Sequence, residues 1–170
     1  MNNESNNKSK TKMTLAGVGV RMVIYLIPFI GFFGFLYVFL YPAFQIPINP
    51  ILTIILGTIL IVIGFMIYIK SMRIIIKLFK QPVIELITKG VFGHIRHPLY
   101  SSWILFITPG VACILNSWIL FFIAVAYYII FKILIKEEED NCIEEFGDDY
   151  IHYKEHVNAI FPKLRKYRRS

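Results

Sequence analysis

Two runs contain no Asp, Glu, Lys or Arg, and they constrain this chain more than any other feature. They are Met22 to Ile69 and His97 to Phe131. A spanning helix needs about 20 consecutive apolar residues. The first run has room for two such helices and the second for two short ones. Composition points the same way: 56% of the 170 residues are hydrophobic and the mean hydropathy is +0.61. An ordinary soluble domain is excluded. The expected fold class is all-α, an integral membrane protein of about four transmembrane helices with C-terminal cytosolic amphipathic helices. The length suits about one domain.

Residues 1–13 are polar and basic and read as a disordered tail, leaving 14–170 as a single domain. No signal peptide is expected, because the apolar run after the tail is too long for one. The first helix is expected from Leu15 to Leu40, kinked at Pro28, with Gly31 and Gly34 available for a close helix contact. Pro42, Pro47, Asn49 and Pro50 mark a loop. A second helix begins near Pro50 and runs past Ile69 into a polar extension. There Lys70, Arg73, Lys77 and Lys80 recur at spacings of three and four and share one face. That stripe suits anionic lipid headgroups. Gln81-Pro82 ends the helix.

A third helix is expected to open on Pro98, where a first turn tolerates proline, and to reach about Leu115. Asn116-Ser117 reads as a tight break, and a fourth helix runs from Trp118 to about Ile135. Beyond Lys136, Glu137 to Phe146 and Asp149 to Val157 read as two amphipathic helices around Gly147, with a basic tail from Lys163 resting on the membrane surface. The eighteen Lys and Arg residues avoid both the Tyr41–Asn49 loop and the Asn116-Ser117 turn. Lys and Arg mark the cytoplasmic side, so both termini, and any site near residue 96, are expected there. Cys113 and Cys142 then fall on opposite sides and should not pair. No zinc-type ligand spacing occurs, and no metal or nucleic-acid partner is expected.

Two polar constellations meet on the cytoplasmic side. Arg96, His97 and Tyr100 stand together where the chain re-enters apolar sequence. Glu137-Glu138-Glu139-Asp140, with Tyr150 and Tyr153 further on, leave the membrane at the end of the fourth helix. Simple charge pairing and a ligand site are both consistent with this arrangement. Gly90 and Gly93 give the intervening loop backbone freedom.

The segments Leu86-Ile-Thr-Lys-Gly-Val-Phe92 and Ile95-Arg-His-Pro-Leu-Tyr100, followed by Glu138-Glu139 and Phe146-Gly-Asp-Asp-Tyr-Ile-His-Tyr153, resemble the isoprenylcysteine carboxyl methyltransferase family, a relative of the phospholipid N-methyltransferases. The resemblance covers Leu86 to Pro162. It implies a membrane enzyme using S-adenosylmethionine in a cytosol-facing pocket, formed by about residues 84–162. The implied cofactor contacts are Leu86, Ile87, Phe92, His97, Pro98, Leu99, Tyr100, Glu138 and Glu139, with His97 and Arg96 as catalytic candidates. Three positions depart from the family pattern: Ser102 replaces a common glycine, Val157-Asn158-Ala159 replaces Val-Pro-Arg, and His94-Ile95 replaces the aromatic before Arg-His-Pro.

The residue types suit that chemistry. A Glu can pair with the cofactor's amino group or ribose hydroxyls, and Arg96 or His97 can meet its carboxylate by charge-assisted hydrogen bonds. Phe92 and Tyr100 offer π faces to the adenine or the sulfonium. The expected partner is a membrane lipid or lipid-modified substrate, foremost an isoprenylcysteine carboxylate. A phospholipid headgroup amine and a non-catalytic membrane scaffold are the alternatives. Transport is disfavoured, since ionisable residues inside the spans would mark a path and none is present.

Overall fold

The computed structural model describes residues 2–80, 85–163 and 167, without the side chains of 2–17 and 79. Five helices organise it. They are α1 (Asn2–Phe39), α2 (Pro50–Phe79), α3 (Pro98–Ile114), α4 (Trp118–Phe146) and α5 (Asp148–His156). No strand forms among the described residues. Three stretches are long and apolar enough to cross a membrane: Val18–Phe39, Pro50–Leu78 and Trp118–Phe146. The fourth, α3, is shorter; at 1.5 Å per residue it is roughly 25 Å long, the lower limit for a span.

Helix α1 is continuous from Asn2 to Phe39, with Pro28 inside it. The expected end of the fourth helix needs correction. The fourth helix does not stop at Ile135. It continues to Phe146, so the segment from Glu137 is not a separate helix. Lys and Glu are good helix formers, and no Gly or Pro intervenes before Gly147. That glycine adopts φ +56° and ψ −133° and donates its N–H to the Ile143 carbonyl at 2.8 Å, closing α4 as the sequence suggested. The Gln81-Pro82 helix stop and most of the basic tail lie outside the described residues.

Helix α3 is not uniform. A π-helical segment, Ser102–Ile107, separates two α-helical pieces, and the Thr108 N–H reaches back to the Trp103 carbonyl. Pro109 follows immediately and has no N–H for the preceding turn. The wider turn lies where the regular ladder would otherwise be broken.

The helices associate as two pairs, α1 with α4 and α2 with α3. Val18, Met22 and Leu26 of α1 pack with Tyr127, Ile130, Phe131 and Ile135 of α4. The second pair depends on small residues. A Cβ on Gly57 would lie 2.5 Å from the Gly110 carbonyl oxygen, and one on Gly64 would lie 2.7 Å from Ile107 Cγ1. Gly31 and Gly34 make no such approach; nothing lies within 4 Å of a Cβ placed on either.

At one end of the bundle the two turns lacking Lys and Arg meet. Gln45 and Ser117 form an antiparallel bridge, the Ile46 N–H donates to the Asn116 carbonyl at 3.2 Å, and Phe44 packs on Trp118 with ring centroids 5.1 Å apart. At the opposite end Arg21 of α1 pairs with Glu137 of α4 at 2.7 Å. The Arg96 and Glu138-Glu139 constellations therefore share an end, as the charge pattern required.

Candidate active site

The loop from Glu85 to His97 is held by the chain that follows α5. Arg96 N–H donates to the Asn158 carbonyl at 2.9 Å and His97 N–H to the Ala159 carbonyl at 3.0 Å. In return, Lys163 N–H donates to the His94 carbonyl at 3.1 Å and Tyr167 N–H to the Gly93 carbonyl at 2.9 Å. A short 3₁₀ turn, Gly90–Gly93, starts with Gly90 at φ +65°, a conformation that suits glycine. A Cβ there would sit 2.9 Å from Ile74 of α2, so the turn rests directly on that helix. Tyr153 of α5 donates its hydroxyl to the Phe92 carbonyl at 2.6 Å. Burial raises the Tyr153 pKa, which keeps this donor protonated.

On α4, Phe131, Ile135, Glu138, Glu139 and Cys142 recur at helical spacing, so they lie on one face. Phe131 is fully buried and packs edge-on to His97, with centroids 5.7 Å apart, and against Tyr100 at 5.5 Å. One helical level further along, the two carboxylates divide the polar partners. Glu139 Oε1 accepts Arg96 Nη2 at 2.6 Å and Nε at 3.1 Å, and lies 3.3 Å from His97 Nε2. Its other oxygen pairs with Lys154 of α5 at 2.9 Å. Glu138 is engaged less closely. Its Oε2 accepts the Tyr100 hydroxyl at 3.1 Å, and its Oε1 lies 3.5 Å from His97 Nδ1.

Arg96 is committed throughout. Besides Glu139, its Nη1 donates to the carbonyls of Lys154 and Val157, at the end of α5. One guanidinium thus ties together the loop, α4 and the C-terminus of α5, where a cation also complements the helix dipole. His97 stands between the two carboxylates. Burial alone would lower its pKa, but the hydrogen bonds and charges of Glu138 and Glu139 outweigh it. The imidazolium therefore persists above the ordinary 6.5.

The structure brings together most of the residues singled out from the sequence. Arg96, His97, Tyr100, Glu138 and Glu139 form one buried cluster. Pro98 is fully buried at the start of α3, and Phe92 is buried one turn upstream. Leu86 packs on the cluster of Tyr150, Tyr153 and Val157. Ile87 and Leu99 are half-buried on the same segment. Two members were missed. Phe131 lies seven residues before Glu138, and that helical spacing was the available signal. Lys154 gave none, since one lysine in an amphipathic helix resembles any other. Among the described residues no group of His, Cys, Asp and Glu suits a metal ion, and both cysteines are free.

Known proteins resemble this chain in sequence and in fold. The sequence pattern of the family described as phospholipid methyltransferase matches residues 52–149. The protein-S-isoprenylcysteine O-methyltransferase of Xenopus laevis is 31% identical over 80 residues, which is 47% of this chain and 28% of that protein. The human protein of the same name is 28% identical over 86 residues, covering 51% and 30% of the two chains. The chain therefore spans about a third of such relatives. A solved structure of the eukaryotic intramembrane Ras methyltransferase, an isoprenylcysteine carboxyl methyltransferase, superposes with a TM-score of 0.57 at 20% identity. That match covers 91% of this chain and 54% of the other, and it establishes a shared fold.

Proposed function

The chain belongs to the phospholipid methyltransferase family, and on that footing we propose that it is a membrane-embedded, S-adenosylmethionine-dependent methyltransferase acting on a lipophilic acceptor, foremost a C-terminal isoprenylcysteine carboxylate. The observation that carries this reading is the buried Arg96, His97, Tyr100, Glu138 and Glu139 cluster at the basic end of the bundle. By the distribution of Lys and Arg, that end faces the cytoplasm with both termini.

The residues present fit the cofactor. Its α-carboxylate calls for a cation, and its amino group and ribose hydroxyls call for a carboxylate. Lys154 is half-exposed, and the carboxylates of Glu138 and Glu139 raise the His97 pKa, so either can serve the first need. Glu138, the more loosely engaged of the two carboxylates, can serve the second. The buried Tyr150 hydroxyl, beside Cys142, is a further polar group there. Leu86, Ile87, Phe92, Pro98, Leu99 and Tyr100 provide the apolar and aromatic walls. Glu139 and Arg96 act through position: they hold His97, the loop and α5 in register.

When bound, S-adenosylmethionine supplies an electrophilic methyl on a sulfonium centre. The protein's task is then to orient the acceptor and exclude water. A carboxylate acceptor needs no base. An amine acceptor must lose a proton. The family's own description favours a phospholipid headgroup amine, which stands as the second reading.

The test is calorimetric binding of S-adenosylhomocysteine to purified protein, followed by methyl transfer from labelled cofactor to a farnesylated cysteine or to phosphatidylethanolamine. Binding followed by a base-labile methyl ester on the farnesylated cysteine is expected. Label that stays on the headgroup amine after base treatment would install the second reading. Absence of binding by folded protein in lipid nanodiscs would remove both and leave a scaffold.

A further inference from the structure

Helix α2 continues beyond the length needed to cross a bilayer. About 20 residues span the hydrocarbon, so a helix entering at Pro50 leaves it near Ile69. The next residues carry Lys70, Arg73 and Lys77, and Lys80 caps the end. Successive positions three and four apart confine the four cations to one side of the helix. All four are exposed, and no ion pair engages any of them among the described residues.

Among the described residues, the elements most in contact with α2 offer the stripe no counter-charge. No Asp or Glu stands between Glu4 and Glu85. The elements packed on α2 are α3 and the Gly90–Gly93 turn, and neither contains a carboxylate. Two basic residues elsewhere are paired within the chain: Arg21 has Glu137, and Lys154 has Glu139. Ile69 and Ile76 are exposed beside the stripe, so apolar and cationic surface adjoin at the depth where acyl chains meet headgroups. Lysine and arginine stems lie along such apolar surface while their charges reach outward.

We propose that Lys70, Arg73, Lys77 and Lys80 form a binding surface for anionic phospholipid headgroups in the leaflet on the active-site side. The phosphate and any further headgroup charge supply the anions that the elements packed on α2 do not offer. The same helix carries Ile74 beneath Gly90, so lipid held by the stripe steadies the platform under the Phe92 turn. The proposal concerns lipid binding and does not depend on methyl transfer.

The test is native mass spectrometry of the full chain, delipidated in neutral detergent and titrated with phosphatidylglycerol or phosphatidylcholine of identical acyl chains. Wild type should retain phosphatidylglycerol with about tenfold higher apparent affinity, since each surface cation adds to the attraction. The quadruple variant Lys70→Gln, Arg73→Gln, Lys77→Gln, Lys80→Gln should bind both lipids alike. Lys132→Gln with Lys136→Gln, on the exposed side of α4, should keep the preference. So should the charge-preserving Lys70→Arg with Lys77→Arg. Inorganic phosphate at the same concentration should not displace the lipid. Equal binding of the two lipids by wild type, or a preference surviving in the quadruple variant, would overturn the proposal. Displacement by inorganic phosphate would identify a free-anion site instead and also overturn it.

Discussion

Arg96 and Glu139 meet through two nitrogens and one oxygen, Nη2 at 2.6 Å and Nε at 3.1 Å from Oε1, with both side chains about nine-tenths buried. A pair so placed is costly to break from one side, because the partner left behind is a buried, uncompensated charge. It also spans three parts of the fold, since the same guanidinium holds the carbonyls that close α5.

The two adjacent glutamates should therefore separate by phenotype. Glu139→Gln weakens the hold on Arg96, His97 and Lys154 and should cost on the order of 3 kcal/mol, seen as a lower thermal midpoint. Glu138→Gln loses only the longer contacts to Tyr100 and His97. It should leave the midpoint nearly unchanged while weakening S-adenosylhomocysteine binding. Thermal unfolding and calorimetry on both variants check this; the reverse pattern would exchange their roles.

His97 introduces a pH dependence with a definite sign. Its folded pKa lies above 6.5 because Glu138 and Glu139 outweigh burial. A raised cationic pKa means the contribution to stability is fully present below 6.5 and is lost as pH rises through the folded value. Stability should decline as pH rises above 6.5 and through that folded value, and His97→Gln should flatten the decline. The imidazole resonance of labelled protein in nanodiscs should titrate above 6.5. A resonance already neutral at that pH would contradict the electrostatic reading of the cluster.

Gly57→Ala should disrupt the α2–α3 pair, since its Cβ would fall 2.5 Å from a backbone oxygen. Overpacking of this kind costs about 1–3 kcal/mol, and here no flexible side chain can yield. Gly31→Ala and Gly34→Ala on α1 meet nothing within 4 Å and should be neutral. Folded yield after size-exclusion chromatography in one detergent compares all three. Equal yields would place the tight helix contact elsewhere.

Gly147 sets the direction of α5 by its backbone alone. Its φ of +56° with ψ of −133° is nearly exclusive to glycine, and open space surrounds it. Gly147→Ala should cost about 1–3 kcal/mol of strain. Because Lys154, Tyr153 and the Val157 carbonyl ride on α5, the variant should lose cofactor affinity along with stability. Unchanged binding would show that the turn is freer than its dihedrals require.

The membrane class, the helical hairpins and the shared end of the two polar clusters follow from local properties. Charge-free runs of such length mark candidate spans, and the placement of Lys and Arg orders them. His97, Tyr100 and the Glu138-Glu139 pair were visible as well, because ionisable residues at a span boundary stand out from their surroundings. The continuation of α4 to Phe146 was missed because a change from apolar to charged composition was read as a helix end. Charge alters which medium a helix faces without stopping its hydrogen-bond ladder.

Only the tertiary structure could distinguish Glu138 from Glu139. Both sit on one face of one helix, and a rotation of about 100° between neighbours decides which one takes the closer contacts of Arg96, His97 and Lys154. It alone showed that Gly57, Gly64 and Gly110, and not Gly31 and Gly34, carry the close helix contact, since a glycine's value there depends on what faces it. Arg96, which the sequence presents as a catalytic candidate, proves to be bound on every nitrogen. Its partners lie on residues 139, 154 and 157, and convergence from such separations is a property of packing, which no local pattern encodes.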